Sequence, residues 1–478
     1  MNSGVTRRGF FGLGLGALAT AGMAPGAFAE QAPGRGLSAA ETESLFGQLV
    51  GNAEAYVAAV ERGFGFLAQM MDAYAGGTTV RLSQSYSDAA LQATGFTYDN
   101  AVAIQAFLRA GDADALERAK ILGDALIYAQ ANNFPIADGR FAQAYYVNIA
   151  SADGVYVAPA AAPYYFYGSA VGDQAWAGMA LAQLFHRTGA SRYREAALSV
   201  GNWIVTNTYN TLGAGGYSFG TIIDQYNQSQ PSPNGKSTEH NIDTFAFFTM
   251  LATLTKGGSA TNGKTWTELA AHARVFVEAM YSQTGGYFYT GTLGDQITIN
   301  TSPIPEDVQT WSYLAGQSAA SSQTIDWAIA NLQTTDSASA ADSSLTGSET
   351  YRGLVFDTAS LTTTAYDPHA VWLEGTSHTV AALISRIVSG QQTLPAIYRD
   401  VLTAVGLLEM LGSAQASLGA GQTVGGAAIP VGYGLVASTS VMDTGFGYTY
   451  GPSLHIGATG WFLLAALGGN PFLLGSAL

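Results

Sequence analysis

Six times along the chain a polar, aromatic-rich cluster runs straight into a stretch too apolar to face water. The densest is Ser237-Thr238-Glu239-His240-Asn241-Ile242-Asp243, which leads into Thr244-Phe245-Ala246-Phe247-Phe248. The others are TYDNAVAIQAFL from Thr97, GDQAWAGMALAQL from Gly172, PEDVQTWSYLAG from Pro305, VWLEGTSHTVAALI from Val371 and PSLHIGATGWFLLAAL from Pro452. A helix that is apolar on every side is a buried helix. Six such helices need a second layer between them and solvent.

Amphipathic segments at 113–130, 191–207, 265–281, 321–332 and 394–414 supply that layer after the first five clusters. The sixth apolar run continues to the C-terminus with no helix after it. Its partner is an N-terminal helix expected over 38–74, where Ser38 and Glu41 form a capping box and Leu45, Leu49, Ala53, Val57 and Val60 recur at helical spacing. Gly63 and Gly65 are expected to interrupt it, and 76–95 reads as a polar loop.

The polar starts recur at intervals of 66 to 81 residues, longer than the roughly 20–50 residues of a solenoid repeat. That spacing suits a helical hairpin plus one long loop, repeated around a closed ring. The pattern therefore predicts an all-α (α/α)6 toroid of six inner and six outer helices, forming a single domain over 38–478. Gly-aromatic stretches such as 164–167, 285–289 and 445–450 are expected to form short strands and binding loops at one face.

Residues 1–29 stand outside that domain, and 30–37 form a Pro/Gly linker. Thr6-Arg7-Arg8-Gly9-Phe10-Phe11 opens a Gly/Ala/Leu segment that ends in Ala27-Phe28-Ala29, the order of a twin-arginine export signal with its cleavage site. The expectation is an exported protein, periplasmic or extracellular, with no membrane span in the mature chain. The GLGLGA run from Gly12 lies in this leader, so it is not read as a dinucleotide loop.

Charged residues make up only 11% of the chain, so each acid beside an apolar run is informative. The formal charge of −15 argues against nucleic acid as a partner, since phosphate binding rests on Lys and Arg. The absence of cysteine removes disulfides, thiolate metal sites and a Cys nucleophile. No HExxH or comparable ligand spacing appears, so neither a metal nor another cofactor is expected. No GxSxG elbow is present either.

The candidate chemistry lies in the cluster acids Asp99, Asp173, Glu239, Asp243, Glu306, Asp307 and Glu374. The simpler reading makes them N-caps and first-turn acids favoured by free N–H groups. Against it, the outer helices start with ordinary caps such as Asp112, Ser191 and Thr265, without packed aromatics and amides. Glu239 sits one turn before Asp243, so the two carboxyls can interact and raise a pKa, as an acid catalyst needs. Asp307 stands near Gln309 and Trp311, and Glu374 between Trp372 and Gly375.

The substrate-binding set expected around these acids is Tyr98, Asp173, Trp176, His240, Asn241, Asp243, Gln309, Trp311, Trp372, His378, Tyr448, Tyr450 and His455. Amides and His would bind sugar hydroxyls, while aromatics would stack on sugar faces. Phe245, Phe247 and Phe248 read as core. His369 precedes the fifth cluster, whereas His186 and His272 read as helix-surface or packing residues.

Two rings of six helices with acids at the inner starts resemble the six-hairpin (α/α)6 glycosidase superfamily, which includes glucoamylase-like enzymes and family-eight endoglucanases. The resemblance is architectural and covers residues 38–478. It implies a glycoside hydrolase acting on an oligo- or polysaccharide, a neutral glucan by preference, with a pair of carboxylates and inversion at the anomeric carbon. Glu239 is the expected general acid and Asp307 the base, with Glu374 and Asp99 as replacements. The same toroid serves epimerases and polysaccharide lyases, which would need His240, His378 and His455 to converge, and a non-catalytic glycan binder would use the same aromatic mouth.

Overall fold

A computed structural model describes residues 53–87, 91, 93–159, 164–316 and 321–476. The leader 1–29, the linker 30–37 and the expected helix start at Ser38 lie outside the described residues. Within them the chain forms twelve α-helices: α1 (Ala53–Met71), α2 (Thr97–Ala110), α3 (Ala113–Ala131), α4 (Val171–Thr188), α5 (Ser191–Thr208), α6 (Thr238–Leu254), α7 (Trp266–Ala279), α8 (Glu306–Leu314), α9 (Ser321–Asn331), α10 (Leu373–Val388), α11 (Leu394–Ser417) and α12 (Ile456–Ala466).

The even-numbered helices are the six apolar runs. Each packs on the next, and α12 packs back on α2, which closes the ring. The odd-numbered helices form the outer layer, with α3, α5, α7, α9 and α11 each against the inner helix before it in the chain. The last inner helix, α12, packs against α1, so the chain's beginning supplies the twelfth helix. Among the described residues no helix is long and apolar enough to cross a membrane.

Three local expectations are corrected. Gly63 and Gly65 do not interrupt α1, which is continuous through both. A Cβ on Gly63 would lie 3.0 Å from Leu463 of α12, and one on Gly65 2.8 Å from Tyr433. Close packing thus offsets the roughly 1 kcal/mol that each glycine costs a helix. The sixth apolar run does not reach the C-terminus as helix, because α12 ends at Ala466 and the chain folds back to bury Phe472. Tyr281 also leaves its helix, pairing as a strand: Tyr281–Ser282 runs antiparallel to Tyr287–Phe288.

The connections from outer to inner helices carry short antiparallel strands, including Thr94–Phe96 with Ala144–Tyr146 and Met442–Asp443 with Thr449–Tyr450. One interaction fixes all six inner helix starts to these connections. The fourth residue of each inner helix is Asn100, Gln174, Asn241, Gln309, Thr376 or Thr459, and all six are fully buried.

Each accepts a hydrogen bond from a backbone N–H in the preceding connection: Ser83 to Asn100 at 2.8 Å, Phe141 to Gln174 at 2.8 Å, Tyr217 to Asn241 at 2.8 Å, Phe288 to Gln309 at 2.9 Å, Leu354 to Thr376 at 3.1 Å and Leu435 to Thr459 at 2.9 Å. The four amides return a bond to the carbonyl of that same residue. All but Gln174 also donate to the carbonyl of their own N-cap residue, at 2.8 to 3.0 Å. A buried backbone group without a partner is costly, and these side chains supply the partner where the irregular loop cannot.

Asn241→Ala should therefore strand the Tyr217 N–H and C=O in the interior, lowering stability by about 2–6 kcal/mol at about 1–3 kcal/mol per buried orphan. Thr376→Ser keeps the hydroxyl and should stay within about 1 kcal/mol of the parent protein. Urea denaturation of the two variants tests this, and equal losses would contradict it.

Candidate functional site

The inner helices all start on the same face of the ring, because each polar start is tied to a connection there. Their N-cap residues are Phe96, Ala170, Ser237, Pro305, Trp372 and His455, and only Ser237 and His455 cap with their side chains. The candidate acids are therefore not N-caps. Most occupy the first turn, where free N–H groups and the helix dipole favour a negative charge.

Four of these helix starts are linked by a buried row of alternating carboxylates and imidazoles. Glu306 Oε2 lies 3.2 Å from His378 Nδ1, and its Oε1 accepts the Thr379 hydroxyl at 2.7 Å. His378 Nε2 is 3.7 Å from Glu374 Oε1, Glu374 Oε2 is 3.5 Å from His455 Nδ1, and His455 Nε2 is 3.1 Å from Asp99 Oδ1. All five side chains are buried. His455 Nδ1 also takes the Ala458 N–H at 3.2 Å.

Burial by itself would lower the His378 pKa, but its hydrogen bond to Glu306 and the nearby carboxylate of Glu374 raise it to about 9. The His455 pKa is also raised, burial again being outweighed, by Asp99 and Glu374. Burial pushes Glu374 upward, yet the nearby imidazoles of His378 and His455 and the Tyr98 hydroxyl bring it below the usual carboxylate value. Tyr98 donates to Glu374 Oε1 at 2.5 Å and accepts the Trp461 indole N–H at 2.8 Å.

A second group of acids behaves in the opposite way. Glu239 keeps part of its surface in solvent, but the protein around it, followed by Asp307, Asp173 and Glu374, holds its carboxyl well above the ordinary value. Asp243 is fully buried and is raised by desolvation, then by Glu239 and Asp307. Burial and the charge of Asp99 push partly exposed Asp173 up to about 8. Asp307 is raised to about 7 by burial and then by Glu306, while its Oδ1 accepts the Val308 N–H at 2.6 Å. The mouth thus combines protonated and ionised carboxyls within interacting distance.

The aromatic residues divide into a floor and a rim. Trp176 lies 5.2 Å from Trp311, 5.7 Å from Trp461 and 5.2 Å from Phe472, and all four are buried. Above the floor, Tyr448 is half exposed and Tyr450 partly so, on the hairpin Met442–Tyr450. Trp372 is buried with its ring stacked under Tyr450 at 6.0 Å and 12°. The Tyr448 hydroxyl is raised by the protein around it and then by the charges of Glu239 and Asp307.

Several expected sugar contacts are corrected by this placement. Asn241 and Gln309 spend both amide hydrogens and a carbonyl lone pair on backbone and are fully buried, out of a ligand's reach. Trp176 and Trp311 are plugs of the ring centre, and Trp372 backs Tyr450, so none offers a sugar a free face. His378 and His455 are sealed below the mouth. His240 is almost buried and packs on Phe219 at 4.5 Å; burial lowers its pKa to about 4, so it is neutral.

Glu306 stands among the candidate acids without an assigned role, and Tyr86 and Asp357 lie outside the expected set. Glu306 anchors the buried row; its place beside Asp307 was visible, but nothing in sequence ranked the two. Tyr86 stacks on His455 at 4.0 Å and 5°, from a segment with no periodicity to mark it. Asp357 is buried with its pKa raised to about 7 by burial, and it adds to the charge around Asp307. Among the described residues no group of three or more His, Asp or Glu side chains could hold a metal ion.

The chain folds as an (α/α)6 toroid. It is similar to a family 76 α-mannanase from Bacteroides thetaiotaomicron, with TM-score 0.53 and 11% identity over 86% of this chain and 95% of that one. A glycosidase variant in complex with glucose gives TM-score 0.55 and 11% identity over 88% and 98%. A cellobiose 2-epimerase from Bacillus thermoamylovorans gives 0.51 and 10% over 84% and 95%. No family model matches the chain, and no curated protein matches its sequence. At such identities the likeness establishes the fold alone.

The displaced pKa values predict how stability varies with pH. The folded state holds protons on Asp173 up to about pH 8 and on Asp307 up to about 7, which the unfolded chain has released. His378, at about 9 when folded, contributes stability that is complete below about 6.5 and lost as pH rises through 9. His240 has the opposite sign, but its window from about 4 to 6.5 is then already passed. The melting temperature should thus fall steadily between pH 6.5 and 9; a rise across that range in differential scanning calorimetry would refute the assignment.

Proposed function

We propose that the protein is an exported glycoside hydrolase that cleaves an oligo- or polysaccharide in the mouth of the ring. The observation that carries this reading is the contrast between partly open Glu239, held protonated among other acids, and Asp307, which titrates near neutrality in the same mouth. Carboxyls of differing pKa facing one cavity are the arrangement for acid/base catalysis. Glu239 delivers a proton to the leaving oxygen, and Asp307 takes one from the attacking water. Asp99 and Glu374, already committed to the buried row, support the site rather than replace these two.

Tyr448 and Tyr450 form an aromatic rim suited to a sugar face, with polar tips toward the acids. The mouth groups named above include no Lys or Arg, which favours a neutral glycan over an acidic one, in keeping with a neutral glucan. The family 76 and glucose-bound neighbours support glycan hydrolysis as a class. An inverting course is part of the proposal, to be read from the anomer first released.

Glu239→Gln and Asp307→Asn should each reduce release of reducing ends from a polysaccharide panel by about 10²- to 10⁴-fold, the usual share of a general acid or base. Circular dichroism and melting should remain close to the parent. Full activity in either folded variant would rule out the assignment. The parent's activity should rise with pH as Asp307 ionises near 7 and decline once Glu239 loses its proton.

One observation favours an epimerase as the second reading: His240 is a neutral imidazole close to Asp243, and the cellobiose epimerase shares the fold. In that case, incubation with disaccharides would change sugar configuration without adding reducing ends. Export rests on the Arg7-Arg8 leader. Replacing both with Lys should retain the protein in the cytoplasm, as fractionation would reveal.

A further inference from the structure

Tyr98 is a mouth residue whose hydroxyl has a fixed direction. It donates to Glu374 Oε1 at 2.5 Å and accepts from Trp461 Nε1 at 2.8 Å. A phenol oxygen has one proton and two lone pairs, so one lone pair remains, and the side chain is partly exposed. That direction depends on the state of Glu374. An ionised carboxylate can only accept, so the Tyr98 proton is committed to Glu374 and only a lone pair is left for a ligand. A protonated Glu374 could donate to Tyr98 and free the Tyr98 proton for a ligand.

What holds Glu374 ionised is His378. Its ring lies between Glu306 Oε2, 3.2 Å from Nδ1, and Glu374 Oε1, 3.7 Å from Nε2. Neighbouring α8 also presents Asp307, whose charge interacts with this imidazole. The rings of Trp461 at 4.3 Å, Trp311 at 5.0 Å and Trp372 at 5.2 Å surround it. Aromatic faces and edges of this kind exclude water, and π-faces favour a cation. On the far side, Glu374 Oε2 meets His455 Nδ1 at 3.5 Å, with Asp99 beyond and Tyr86 stacked on the ring.

We propose that His378 is a positioning residue: clamped between Glu306 and Glu374, it keeps Glu374 an acceptor and so makes Tyr98 a fixed acceptor for a donating sugar hydroxyl. This selects a ligand hydroxyl at the mouth floor and disfavours a carboxylate or an ether oxygen there. The inference rests on the hydrolase reading for its sugar, but the ionisation state it assigns to His378 is independent of any activity.

The raised His378 pKa supports the same arrangement, and nitrogen-15 NMR of the six imidazoles of the full chain tests it directly. The His378 imidazole should stay doubly protonated at pH 8, and its signal should vanish in His378→Asn. Glu306→Gln, which keeps a hydrogen-bonding group but removes the charge, should shift that signal's titration downward by at least about one unit. A neutral His378 at pH 7 in the parent would overturn the inference.

The kinetic arm separates positioning from a general loss of structure. In Glu306→Gln and His378→Asn, Glu374 takes a proton more readily, so KM should rise about tenfold more at pH 6 than at pH 8, with kcat changed less. A uniform loss at every pH would point to structural damage and count against the proposal. Tyr98→Phe should raise KM and remove its extra dependence on pH. If the imidazole signal behaves as described while no glycan is hydrolysed, the hydrolase reading fails and the ionisation of His378 stands. Active enzyme with a neutral His378 would instead sink the positioning role and leave the hydrolase reading intact.

Discussion

The constraint on which the rest of the molecule depends is that its inner helices are buried on every side. A helix enclosed by two inner neighbours and an outer partner can place polar groups without cost only at its ends. The first turn is favoured, because four backbone N–H groups there lack helical partners and welcome negative charge. Closing the ring brings all six first turns to one face. The acidic mouth follows from the burial pattern: polar chemistry is collected there because the ring interior has no room for it elsewhere.

Burial also explains how one small space holds carboxyls in two protonation states. A buried carboxylate survives ionised only if something nearby repays the lost hydration. Glu374 has His378 on one side and His455 on the other. Glu239 and Asp243 have mainly other acids as neighbours and so hold their protons. The fold therefore separates charge by depth, with a compensated row beneath and protonated carboxyls facing the opening. No single residue type confers this difference, since Glu239 and Glu374 occupy the same second position of their helices.

Much of this was legible from the chain alone, for a physical reason. Apolar runs without an amphipathic face announce their burial, and six of them with regular spacing announce a closed double ring. The roles of residues within each start were harder to read. Asn241 beside His240 looks like a ligand for a sugar, and only the position of Tyr217, 24 residues earlier in the chain, shows that its amide is occupied. The recurrence of Asn, Gln, Asn, Gln, Thr and Thr at the fourth inner position was present in the sequence. It becomes a signal only when helix starts are known to the residue. Tyr86 had no such recurrence, because its place depends on stacking against a residue more than three hundred positions away.

The same distinction explains why the tryptophans were misleading. An aromatic beside an acid at a helix start has two physical uses: a sugar platform needs one face open, whereas a plug needs both covered. Trp176 and Trp311 stand one turn further along their helices than the acids Asp173 and Asp307, and one turn takes a side chain about 5 Å deeper into the ring. At that depth the neighbours are Trp461 and Phe472 rather than solvent. The plug also matters to the chemistry above it. By filling the centre with rings, it denies water to His378 and Glu374, so the electrostatic partners of the mouth interact at low dielectric and hold one another's protonation states more firmly than exposed groups could.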